Sequence, residues 1–480
     1  MNDEAQPVAI ERNADAGGRT RQQSTPSTGG HRPALSARRA LFAGFGRPLA
    51  LIAGLGFVVR VAYVAFVMPH VHLGFDALWY ELQAGTIAGG HGFVDPAAFY
   101  QHGRSIATAQ FPPLWPGLLA VVHLGGGTSA AAYELVGSAA GTVTIVLTGL
   151  LGRRLAGPLT GLVAAGAVAA SPALVAADGS LMAESVFIAL IVAAMLTAYR
   201  ASEGGRLRSW VLLGLLLGLA TLTRSDGLIL GPAIVVATLV RRSTTPTRAR
   251  ILRGILVFGV IAVTLTPWVI SRSEAMGSTV ILSSNSGTLL EGANCRAAYY
   301  GPDLGLWEPS CLHYARSPGL SEVSATTHAR AAAVHYARQH WMRLPIVAPA
   351  RVLRTFGLYD PINQSRIEAV ESRDAGLQIA AWCTWIVVFA LGIGGLILSW
   401  RRRADVAPMI GVLVGVVLIA IVGYGSQRYR LPADPVVAVF GALALARAAV
   451  RWRRRRVPDN PRDTRGLPRR STAAAPLSSP

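Results

Sequence analysis

Lysine is absent from this 480-residue chain, so all 45 Lys+Arg positions are arginine. Charge of any kind is scarce, 15% of residues against 52% hydrophobic, where a soluble domain carries about 25%. That shortage excludes an ordinary soluble protein. Cysteine is nearly missing, with three residues, which excludes a small disulfide-built scaffold, and no Cys/His spacing of the zinc type occurs. There is also no P-loop and no dinucleotide fingerprint. The formal net charge of +20 would suit a nucleic-acid binder, but the placement of the charge is wrong for one. The arginines gather in the N-terminal tail, in short loops and in the final run "RWRRRR". That distribution follows the positive-inside rule and the pull of anionic head groups, so the partner it implies is a lipid bilayer and not nucleic acid.

What the chain has instead is apolar runs near the ~20 residues that cross a bilayer. They predict an all-α polytopic membrane protein of about 10 transmembrane helices, at 49–68, 128–151, 158–176, 180–199, 209–223, 227–241, 252–271, 377–400, 406–424 and 434–450. A shorter run, Leu114 to Leu124, follows "FPP" and reads as juxtamembrane or re-entrant. The organisation expected is a disordered basic tail at 1–46, a transmembrane core at 47–272 that includes a first outer loop at 69–127, a loop region at 273–376, C-terminal spans at 377–450 and a second basic tail at 451–480.

Arg153 and Arg154, Arg200 with Arg206 and Arg208, the run from Arg241 to Arg253, and Arg401 to Arg403 fall in alternate short loops. Ten spans with both termini cytoplasmic place every one of these clusters inside, in a cell membrane. The segments left outside are 69–127, the turn near Ser171 to Ser180, the join Thr223–Asp226, the loop 273–376 and "GYGSQRYRLPADP". They hold Asp76, Asp95, Asp178, Glu184, Arg224, Asp226, Arg428 and Arg430. Topology alone therefore points to a site at the extracytoplasmic boundary, where no ATP is available and a substrate must arrive already activated. A lipid-linked phosphate meets that need. Such chemistry takes a carboxylate to accept a proton from an incoming hydroxyl and arginines to hold the phosphate in bidentate fashion.

Asp76 is the candidate base. It follows the first span and precedes "ALWYELQAGTIAGG", in which Leu78, Leu82, Ile87 and Trp79 recur at near-helical spacing, as in an interfacial helix. The competing reading makes Asp76 the N-cap of that helix. Asp178 and Glu184 are second acidic candidates at the outer end of the fourth span, where an ionisable group is costly; as helix-start acids they would suit the N-terminal dipole. Arg224 either pairs with Asp226 across the turn or faces a phosphate. Arg428 and Arg430 flank Tyr429, and an extended backbone would aim both to one side. His72 and His91 match no metal spacing, so a divalent metal is possible but unsupported by a ligand motif. Cys295 and Cys311 share the large outer loop and can close a disulfide, whereas Cys383 reads as a small buried apolar residue.

The run "GFDALWYELQAGTIAGGHGFVDP…FPPLWPGLLA" resembles the first outer loop of GT-C superfamily glycosyltransferases, most of all family 39-type proteins of actinobacteria, relatives of protein O-mannosyltransferases and lipid A aminoarabinose transferases. "GRRLAGPLTGLVAA", "DGSLMAESVF", "GLATLTRSDGLILGP", "TPWVISR", "LSSNSGTLLEGANCRAAYYGPDLGLW" and "RYRLPADP" agree in order, over about residues 45–450. The resemblance implies the GT-C fold, a polyprenyl-phosphate sugar donor, an envelope glycan, lipid or protein acceptor, and a transfer that inverts the anomeric centre. It implies that Asp76 is the base or acceptor-orienting acid, that Asp178 or Glu184 is the second acid, and that Arg428 and Arg430 hold the donor phosphate. The chain departs from relatives that carry an Asp-Glu pair in this loop, because Ala77 follows Asp76. Two other classes fit the composition: a transporter or lipid flippase, which favours charges at mid-membrane and internal repeats, and a structural membrane protein without a site.

Overall fold

The computed structural model describes residues 42–456 except 242–244, 315–318 and 403; the expected tails lie outside it save at their inner edges, and Arg403 lies outside it too. The chain divides at Gly46 into two units. Of the first, only the helical turn Phe42–Gly46 is described. The second, from Arg47 onward, is helical throughout: among its described residues there is no β-strand, only an isolated antiparallel bridge between Val94 and Ala107.

Six helical stretches are long and apolar enough to cross a membrane: Gly44–His70, Ala130–Ala156, Glu184–Gly204, Thr247–Met276, Ala375–Arg401 and Gln427–Trp452. Leu207–Thr223, Gly227–Val240 and Ala407–Val422 are shorter apolar helices at expected span positions. The run expected as one span at 158–176 is instead two helices, Pro158–Ala169 and Pro172–Gly179, bent by 56°. The sequence contains the reason. Ser171 caps the second helix by accepting from the Leu174 N–H at 3.5 Å, and Pro172 follows at its first position, where a missing N–H costs nothing.

Small residues let the helices close on one another. A Cβ at Gly141 would collide with the Asp178 carboxyl, and one at Gly395 with the Phe440 carbonyl. Cys383, expected inside, is exposed, because Ala381 and Trp385 supply the inward face of the Ala375–Arg401 helix.

The segment 69–127, expected as the first outer loop, contains the helices Phe75–Ala88, Pro96–His102 and Leu114–Leu124. Ala77, Tyr80 and Ala84 of the first pack on Trp115 and Leu119 of the third and on Leu181, Met182 and Ala183. Trp115 Nε1 donates to the Leu181 carbonyl at 3.3 Å. This platform fixes Asp76 against the N-terminal end of the Glu184–Gly204 helix. In the large loop Cys295 and Cys311 are joined in a disulfide, with Cα atoms 6.3 Å apart.

Candidate active site

Asp76 lies one residue inside its helix. The N-cap is Gly74 and makes no side-chain cap, so the capping role expected for Asp76 is not the one it has. Its carboxylate points to Arg428, whose Nη2 stands 3.6 Å from Asp76 Oδ2. Arg428 Nε donates to Glu184 Oε1 at 2.7 Å, and Nη1 lies 3.0 Å from Glu371 Oε2. Arg224 Nη1 reaches the same Glu184 oxygen at 2.9 Å and holds Asp226 at 2.8 Å, so pairing across the turn and a place in the site coexist. Arg373 Nη2 stands 3.8 Å from Glu184 Oε1, and its Nη1 3.5 Å from Glu368 Oε2. Three guanidiniums thus face five carboxylates drawn from both ends of the chain.

The supports are built around Glu368. Its Oε1 accepts from Ser426 Oγ at 2.7 Å, from the Gln427 N–H at 2.8 Å and from Gln364 Nε2 at 3.1 Å. That ties the segment Pro361–Ala369 to the turn carrying Arg428. Ser372 Oγ accepts from the Gly74 N–H at 2.6 Å, tying the same segment to the start of the Asp76 helix. Two non-glycine residues near the site have left-handed backbones, Leu181 at φ 54° and Ser372 at φ 62°. Each such residue costs of the order of 1 kcal/mol and persists only where the surroundings enforce it. Ser372 sits between Glu371 and Arg373, and both of its neighbours reach the cluster.

The electrostatics follow from the excess of acid. Burial pushes the Asp76 carboxyl up to about 6, the nearby Glu371 charge adds to the rise, and Arg428 opposes it. Burial and the Asp76 charge also push the Tyr80 phenol upward. Arg373 Nε and Nη2 are buried donors without a hydrogen-bond partner among the described residues. Arg373, with open donors beside Glu184, and Arg428, between Glu184 and Asp76, form an arrangement that can receive an oxyanion, with the Asp76 carboxyl placed to take a proton.

Of the residues the sequence nominated, Asp76, Glu184, Arg224 and Arg428 come together. Asp178 does not: it forms a separate pair with Arg60 of the first span, Nε to Oδ2 at 2.6 Å. Arg430 does not either. Residues 427–433 form a 3-10 helix, not the extended strand that would have aimed Arg428 and Arg430 alike, and with three residues per turn two positions apart diverge. Arg430 lies over the Trp385 ring at 4.0 Å, its Nε 3.4 Å from Asp434. It lines a cavity of 210 Å³ otherwise walled mainly by apolar residues of the bent helix pair and of the Ala375–Arg401 helix. Asp95 caps its own helix at the Ala98 N–H, 3.1 Å, and His72 and His91 are exposed. Among the described residues no group of three or more His, Cys, Asp or Glu side chains could hold a metal ion.

Sequence reasoning missed Glu368, Glu371 and Arg373. The signal was the run "RIEAVESRD", which sets three acids and two arginines just ahead of a span.

The family model described as dolichyl-phosphate-mannose-protein mannosyltransferase matches residues 110–270. No curated protein matches the chain. Among solved structures, the apo oligosaccharyltransferase of Archaeoglobus fulgidus aligns at a TM-score of 0.51 and 16% identity, over 85% of this chain and 51% of that one. The same enzyme tethered to an acceptor peptide containing the NVT sequon gives 0.50 and 16%, over 85% and 50%. ArnT from Cupriavidus metallidurans bound to undecaprenyl phosphate gives 0.41 and 18%, over 83% and 78%. The chain spans about half the length of the archaeal enzyme. Identities this low establish a shared fold, and that argument rests on the archaeal structures. With the family model, they support the GT-C resemblance read from the sequence.

Proposed function

We propose that this protein is an integral-membrane glycosyltransferase that moves a sugar from a polyprenyl-phosphate donor to a cell-envelope acceptor on the extracytoplasmic side. The observation that carries the reading is the meeting of Asp76 with Arg428, a carboxyl that burial pushes up to about 6 beside a guanidinium. The matching family model, whose description names a dolichyl-phosphate-linked sugar, supports the donor class.

In the proposed reaction Asp76, ionised, accepts the proton of the acceptor hydroxyl as that oxygen attacks the anomeric carbon. The bond between that carbon and the phosphate oxygen breaks, and its electron pair leaves with the lipid phosphate. Attack opposite the leaving group inverts the anomeric centre. Arg428 and Arg373 hold the departing phosphate. Arg373 contributes the open donors, and Arg428 gives up Glu371, the most exposed of its carboxylate partners at 33%. Arg224 keeps Glu184 neutralised while this exchange takes place. Arg430, turned toward the apolar cavity, is assigned to the lipid side of the donor.

The test uses membranes supplied with a polyprenyl-phosphate sugar. Asp76→Asn should abolish transfer with normal expression, and full activity in that variant would sink the assignment. Comparing envelope glycans and glycoproteins by mass spectrometry with and without the protein identifies the sugar and the acceptor.

A further inference from the structure

The stretch from Trp341 to Val370 is built inside out. In the Leu344–Thr355 helix the buried side chains include Arg351, Arg354 and Thr355. The opposite stripe, continued back to Met342, is Met342, Pro345, Ile346, Pro349 and Leu353, all exposed and all apolar. Their spacing of three and four residues puts them on one helical face. The Pro361–Ala369 helix repeats the inversion: Gln364, Ser365 and Glu368 are buried, while Ile362, Ile367 and, just past its end, Val370 are exposed.

The arginines are inside for a reason. Arg351 donates to the carbonyls of Ile421, at 2.9 Å, and of Ala293. Arg354 donates to those of Leu304 at 2.7 Å and Pro302 at 2.9 Å. They satisfy the unpaired carbonyls of two helix C-termini, at Ile421 and Ala293, and of the loop at Pro302 and Leu304. In water a surface helix turns its apolar face inward; the reverse arrangement, on two consecutive helices, calls for an apolar exterior.

The surroundings fix what that exterior is. Six residues after Ala369 the chain enters the membrane-length helix Ala375–Arg401. Trp382 and Trp385, in its first turns, donate to the carbonyls of Gly357 at 2.9 Å and Phe356 at 2.8 Å. Arg351 reaches Ile421, the next-to-last residue of the apolar helix Ala407–Val422. Two apolar helices therefore end at the level of this segment.

We infer that residues 341–370 form a monotopic lipid-contact surface, with the stripe from Met342 to Leu353 and the face of Ile362 and Val370 lying in the acyl-chain boundary of the bilayer. Trp341 sits at its edge, and Arg366, exposed among the apolar residues, extends to the head groups. The assignment goes beyond sugar transfer: it makes the bilayer the support of the segment that delivers Glu368 and, just beyond its end, Glu371 and Arg373 to the candidate site.

The test reads depth and not activity, so its outcome is separate from that of the glycosyltransferase reading. The full chain, with Cys383→Ser and the Cys295–Cys311 bond retained, receives one nitroxide at Met342, Ile346 or Val370 and, as a water-side control, at His335, which is exposed on the Glu322–Gln339 helix. Leu353 replaces any position whose variant does not fold. In phosphatidylglycerol and phosphatidylethanolamine nanodiscs, oxygen collision should exceed collision with a water-soluble nickel chelate several-fold at the three test positions, with the order reversed at His335. Nickel accessibility equal to the control would overturn the inference. So would labels shielded from both reagents, which would mean that protein covers the face.

Discussion

Two clusters of buried arginine and carboxylate are built from the same chemistry and do opposite things. Arg60 and Asp178 form a sealed pair: their side chains are 0% and 3% exposed, and the other guanidinium nitrogens donate to carbonyls, Nη1 to Gly56 at 3.0 Å and Ala169 at 3.3 Å and Nη2 to Val168 at 3.5 Å. Arg428 faces three carboxylates, of which Asp76 and Glu371 are 23% and 33% exposed. Neighbouring Arg373 keeps open donors. Charge balance, sealing and full satisfaction of donors make the first a joint between helices, where the bent pair meets the first span. Surplus acid, partial access and unfilled donors make the second a place where something can bind. Burial of an ionisable group is therefore a weak sign of function until its partners are counted.

The contrast can be broken most sharply at Asp76. Asp76→Asn is expected to lower transfer by about 10²-fold or more, the scale of a lost general base, with no change in thermal unfolding; a matching loss of stability would put Asp76 among the joints. Next comes Arg428→Lys, which keeps the charge but loses the fork that serves three carboxylates. It should cost about 10–100-fold in transfer, the scale of one or two charged hydrogen bonds, and raise the KM for the lipid donor. The sealed pair should respond in stability instead. Asp178→Asn strands the Arg60 charge and is expected to destabilise the bundle by about 3–5 kcal/mol, seen as earlier unfolding in detergent, while turnover per folded molecule holds. Arg60→Met combined with Asp178→Leu should recover most of that loss.

The smallest effect is a shift in a pH profile. A base must be ionised, so transfer should rise with pH through about 6, where Asp76 titrates. The Glu371 charge helps hold that value up. Glu371→Gln removes a negative neighbour, favours ionised Asp76 and should move the acid limb to lower pH. A limb that stays in place, or moves upward, would separate Asp76 from the profile.

The sequence exposed the parts of this comparison that depend on position relative to apolar runs. Nine of the ten expected stretches correspond to single helices and the tenth to a bent pair, and Asp76, Glu184, Arg224 and Arg428 stood out because polar residues at span ends are costly. Partners were harder to read. Nothing in the spacing of "DGSLMAESVF" shows that Asp178 turns toward Arg60 while Glu184 turns the other way; helix packing around Gly141 decides that. Glu368, Glu371 and Arg373 were hidden because they lie in a long loop, where charge is unremarkable and sidedness rules do not apply. Their alignment depends on Ser372 in a left-handed conformation, which serine seldom marks in advance. Arg430 turns away from Arg428 for one local reason: alternate residues share a side in a strand and not in a 3-10 turn.

That turn, Gln427–Ala433, acts as a partition one chain thick. On one side Arg428 stands among carboxylates, and on the other Arg430 stands over Trp385 at the rim of the mainly apolar cavity. Each residue added or removed just ahead of it would rotate the turn by about 120° and hand each compartment the wrong side chain. The segment can accept many substitutions of shape or polarity more easily than it can accept a change of length.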